Sequence, residues 1–106
     1  MELEKIEVGG FTYNIIPLEG TDAEDFHGLC NRDDKTIALR VGDAGPNYAD
    51  TVLHETLHAV FHERSMASVI PVEHEEFIVA SIATGLIEVI RRNPEFLLLI
   101  STNALE

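Results

Sequence analysis

The sequence predicts an α+β fold: a small antiparallel sheet of three or four strands, then a helix and a long second helix. Three observations carry this. Short segments of alternating apolar and polar residues fill the chain as far as Val41, helical periodicity takes over from Ala49, and the two kinds of segment do not interleave. With 106 residues, positions 1–106 make a single domain whose core is modest and whose binding surface is shallow.

Ile6 and Val8 alternate with Lys5 and Glu7, and Phe11, Tyr13 and Ile15 alternate with Thr12 and Asn14. Gly9-Gly10 between them suits a two-residue hairpin turn, whose central positions favour positive φ. Pro17 should end the second strand, because it removes a ladder donor. Leu18 to Asp25 reads as a loop with room for one helical turn, and Phe26 to Cys30 as a weak strand. Asn31 to Asp34 is a polar turn into a stronger strand, Thr36 to Val41, with Ile37, Leu39 and Val41 on one face. Gly42 to Asn47 breaks the pattern, and Asn47 or a neighbour is suited to cap the helix that follows.

That helix carries Ala49, Leu53, Leu57, Val60 and Phe61 at helical spacing. A loop reaches Ile70, and Pro71 suits the first turn of a helix running from about Val72 to Arg92. Asn93 and Pro94 then start a short apolar helix over Phe96 to Ile100.

The net charge is 7 − 19 = −12, spread along the chain, and such a surface repels phosphate backbones, so nucleic acid is not expected as a partner. The first residues lack the basic flank and apolar core of a signal peptide, and the longest strongly apolar run, Phe96 to Ile100, is too short to span a bilayer. A cytoplasmic protein with no membrane partner is expected. Cys30, the only cysteine, excludes an internal disulfide and reads as a small thiol on a strand.

The motif helix contains His54-Glu55-Thr56-Leu57-His58, a His-Glu-x-x-His pattern. Residues four apart lie one turn apart on one helix face, so both imidazoles can reach one metal ion. Glu55 is offset sideways, where it can serve as the catalytic general base toward a water on the metal. A catalytic zinc site takes a third protein ligand. Extending the stripe of Val79, Ile82, Ala83, Leu86, Val89 and Ile90 backwards lands on Glu75 near its centre and on Glu76 at its edge. A carboxylate inside an apolar stripe needs compensation, so Glu75 is the expected third ligand to Zn2+, with Glu76 the alternative. Favourable placement of acids in a helix's first turn accounts for the same glutamates without any metal.

Taken together, the segment from Ile37 to Pro94 resembles the minimal gluzincin metallopeptidases. It is most similar to the small zincin-like proteins of phages and prophages, and more distantly to the ImmA/IrrE type. The resemblance implies zinc held by His54, His58 and Glu75 or Glu76, with Glu55 as general base, and a strand near Ile37 to Val41 that aligns an extended peptide or protein substrate by strand addition. The sequence departs from larger gluzincins in having Val79 and Ala80, not an acid, one turn after the candidate third ligands.

Two functions compete on these residues. One is zinc-dependent peptide hydrolysis, with Tyr13, Tyr48 or His62 as candidate donors to the oxyanion. The other is a metal-binding regulatory or interaction module with little turnover, favoured by a chain too short to wall a deep pocket. His27 and His74 read as ordinary polar residues, and His62 could extend the His54, His58 ladder by one turn. Metzincins are excluded because Arg64 stands where their third histidine would fall, and zinc deaminases because there is no Cys-x-x-Cys.

Overall fold

The computed structural model describes residues 3–42 and 45–103. Strands β1 (Lys5–Val8) and β2 (Phe11–Leu18) form the expected hairpin, with Gly9 and Gly10 at φ 59° and 86°. Gly9 also meets a space constraint: a Cβ there would lie 2.7 Å from Glu63 Cβ, so the turn packs directly on the end of the motif helix.

A short helix α1 (Thr21–Asp25) leads into β3 (Gly28–Asn31) and β4 (Thr36–Arg40). The described strands are ordered β1-β2-β4-β3, and β2 pairs with β4 in parallel, so the sheet is mixed where an antiparallel one was expected. The cause is the β3–β4 hairpin. Its turn is closed by Asn31 Oδ1, which accepts from the backbone N–H of Asp33 and Asp34, and by Lys35 at φ 57°. The hairpin leaves β3 outermost and inserts β4 between it and β2.

Pro17 lies inside β2, in register with Leu39, and does not end the strand. The N–H of Asn14 bonds Lys35 on the β4 side and that of Ile15 bonds Glu4 on the β1 side. By alternation the nitrogen of Pro17 faces the β1 side beyond the start of β1, where a missing donor breaks no ladder bond.

The motif lies on α2 (Gly45–Glu63); Asn47, expected near its cap, is inside the first turn, and residues 43 and 44 fall outside the described residues. Helix α2 packs on β3, β1 and β4 with one side and on α3 (Val72–Arg92) with another. The core cluster is Val8, Tyr13, Ile37, Leu39 and Ala59, with Tyr13, Ile37 and Ala59 fully enclosed. The end of α2 is tied to the sheet by charge as well. Tyr13 Oη donates to Glu63 at 2.6 Å, and Lys35 Nζ pairs with the same carboxylate at 2.5 Å while lying over the Phe11 ring. Lys35 and Tyr13 together hold the Glu63 carboxyl below its usual range.

After a single 3-10 turn at Met66–Ser68, α3 starts behind Pro71, which is its N-cap. Its buried face is Glu75, Val79 and Ala83, narrower than the periodicity suggests, because Ile82 and Val89 are exposed. Asn93 closes α3 by donating from Nδ2 to the Val89 carbonyl, and α4 (Pro94–Asn103) follows. The apolar residues of α4 and several on α3 remain open to solvent, among them Phe77 at 74% and Leu98 at 62%. Among the described residues no helix is long and apolar enough to cross a membrane.

Candidate metal centre

His54 and His58 stand one turn apart on α2 with ring centroids 5.0 Å apart, edge to face. The start of α3 brings a carboxylate to both rings. Glu76 Oε1 lies 2.8 Å from His54 Nε2, and Glu76 Oε2 lies 2.9 Å from His58 Nε2. One ligand atom from each of the three lies within 4.8 Å of the others, the one such group among the described residues. Two imidazole nitrogens and a carboxylate oxygen are a donor set that suits a catalytic zinc with a position left for water.

Glu75, the expected third ligand, is placed on the other side of the same ring. Its Oε2 is 2.6 Å from His58 Nδ1, and it forms an ion pair with Arg32. Glu75 is buried, as helical periodicity predicts, at 5% exposed, but Arg32 is the cation that meets it. The physical reason for the exchange is helix phase. Glu75 shares the buried face of Val79 and Ala83, while Glu76, about 100° further round, faces the open side where both Nε2 atoms point.

Glu55 is buried beside the pair. Burial pushes its carboxyl above the usual range and Glu76 adds to this, while His54 opposes it. Burial also lowers the pKa of His58 and so favours the neutral ring, with Glu76 pulling the other way. Cys30 lies on β3 with its thiol pushed up to about 11, chiefly by burial, and stays protonated.

A cleft of about 560 Å³ opens beside the cluster, walled by α2 and by the segment Phe26 to Cys30. Asp25, Asp50, Glu55 and Glu76 make its lining acidic, against Arg32 and the histidines. His27, read as an ordinary polar residue, is also on this wall. None of Tyr13, Tyr48 and His62 is among the residues lining it: Tyr13 and Tyr48 pack in or against the core, and His62 is exposed on the last turn of α2. The strand expected to take a substrate, β4, is paired on both sides, so among the described residues the edge strand next to the cleft is β3.

The sequence reading missed Arg32 and Asp50. Arg32 sat unremarked in a polar turn, and the signal that points to it is the buried glutamate itself, which demands a cation. Asp50 precedes His54 by one turn, and its Oδ1 is buried without a hydrogen-bond partner among the described residues.

Gly28 sets the distance between β3 and the motif helix. A Cβ there would lie 2.7 Å from Thr51 Cγ2, 3.1 Å from Glu55 Cγ and 3.2 Å from the Ala38 carbonyl oxygen. Gly28→Ala is therefore expected to displace Glu55 and to lower stability by about 1–3 kcal/mol, the usual cost of overpacking. Denaturant unfolding checks the second effect; an unchanged midpoint would show that β3 and α2 can separate freely.

Set beside known proteins, the chain matches no family model, no curated protein and no solved structure.

Proposed function

We propose that this chain is a zinc-dependent peptidase of the minimal gluzincin kind, acting in the cytoplasm on extended peptide segments. The observation that carries the reading is the meeting of one carboxylate, Glu76, with the Nε2 atoms of both motif histidines. His54, His58 and Glu76 would hold the metal. When bound, zinc would supply Lewis acidity toward a peptide carbonyl and lower the pKa of water to near 7.

The chain's own residues supply the rest. Glu55, buried and with its proton affinity raised, accepts a proton at its carboxylate and returns it to the leaving amine. The free edge of β3 offers backbone donors and acceptors to an extended strand, which orients the scissile bond along the cleft. The cleft's acidic lining favours basic segments.

The second reading, a regulatory module that binds metal with little turnover, draws on the same shallow cleft. Metal analysis of the purified native chain tests what both readings share. Stoichiometric zinc that is lost in His54→Ala is expected; a chain that neither carries nor takes up zinc overturns the metal centre.

A further inference from the structure

We propose that Glu75, held in place by Arg32, is the positioning residue for His58: its carboxylate accepts a hydrogen bond from Nδ1–H and so aims Nε2 at His54 and Glu76. The inference rests on the metal-centre reading and adds to it a role for two residues that are not ligands.

The two glutamates are adjacent in sequence and grip opposite edges of one imidazole. Glu75 Oε2 is 2.6 Å from Nδ1, and Glu76 Oε2 is 2.9 Å from Nε2. A neutral imidazole carries one N–H, and which nitrogen bears it is set by the partner that the ring finds. Arg32 Nη2 also approaches Nδ1, at 3.4 Å, but a guanidinium has no acceptor, so the partner for Nδ1–H is the Glu75 carboxylate. With the proton held there, Nε2 would be the nitrogen that offers its lone pair to a bound metal, on the side where Glu76 and His54 converge.

Geometry separates this role from that of a ligand. The ring nitrogens of an imidazole point away from one another, so an oxygen against Nδ1 of His58 cannot share an ion with Nε2 of the same ring. Glu75 is nearly enclosed, and a buried carboxylate is costly unless paired. Arg32 reaches it from the β3–β4 turn, and Arg32 and Glu76 both line the cleft. The turn thereby braces a histidine that it does not touch in sequence, and it supplies the outer support that Val79 and Ala80 do not.

The test uses the full chain and zinc alone. In competition with a chromophoric chelator, Glu75→Ala is expected to weaken zinc binding about 10- to 100-fold, the range for lost outer-shell partners. Glu75→Gln, which keeps an acceptor oxygen, should recover part of that loss. Nitrogen-15 NMR of the zinc-loaded native chain should show His58 protonated at Nδ1 and metal-bound at Nε2, a readout that stands even if a variant fails to fold. Native His58 bound through Nδ1 overturns the proposal, as does zinc affinity unchanged in Glu75→Ala. Zinc lost as completely in Glu75→Ala as in Glu76→Ala makes Glu75 a ligand and overturns it too. A native chain that binds no zinc is a different outcome: it removes the metal centre and this proposal with it.

Discussion

Glu55→Gln is expected to keep zinc content and melting temperature near native values while peptide hydrolysis falls about 10²- to 10⁴-fold, the usual size of a lost general base. The substitution preserves shape, and Glu55 is not among the three residues whose ligand atoms converge. What it removes is a carboxylate whose raised proton affinity comes first from burial. Glu76→Gln is the matched control and should lose metal and activity together, since among the described residues it is Glu76 that bridges both histidines. Zinc analysis, thermal unfolding and mass-spectrometric detection of cleaved peptides read all of this out. If Glu55→Gln loses zinc as badly as Glu76→Gln, the assigned roles are wrong. If it keeps zinc and full biological effect, the regulatory-module reading replaces the peptidase one.

The second large effect is on stability. A chelator should lower the melting temperature, because an ion bound only by the native state stabilises it in proportion to the logarithm of its concentration over Kd. With free zinc at a thousand times Kd the contribution is about 4 kcal/mol, which corresponds to on the order of 20 °C for a domain of this size. The gap between loaded and chelated protein should widen as pH rises from 6 to 8, since protons compete with metal for imidazole. His58 adds a pH dependence of its own. Its folded pKa lies below the ordinary 6.5, so the unfolded chain binds more protons in that window, and stability rises with pH up to about 6.5 and then levels. Coincident melting curves with and without chelator would leave no resident metal to account for.

The elements that local chemistry specifies were legible in the sequence. Gly9-Gly10 predicts the hairpin because only that turn needs two positive φ values, and Pro71 and Asn93 bracket the long helix as the chemistry of helix ends requires. What was not legible depends on partners far along the chain. Alternation in Thr36 to Arg40 says that one face is buried but not which strand lies alongside, so the parallel pairing with β2 could not be read. The same holds for Glu75. Periodicity located it in the interior, but the cation that meets it lies on a turn 43 positions earlier (75 − 32), and only the fold puts them together. Ile82 and Val89 fit the stripe by spacing but are exposed, the buried face of α3 being confined to Glu75, Val79 and Ala83.

The open apolar side of α3 and α4 has a colloidal consequence. Phe77, Leu97, Leu98 and Leu99 are exposed in a chain that carries a net charge of −12 at pH 7. Mutual repulsion between copies is then what opposes contact between those faces, for burial does not hide them. The repulsion is a property of pH and salt, whereas the apolar surface is not. Near the isoelectric point of about 4.6 the carboxylates no longer keep copies apart, and the same helices turn from a tolerated surface into an adhesive one.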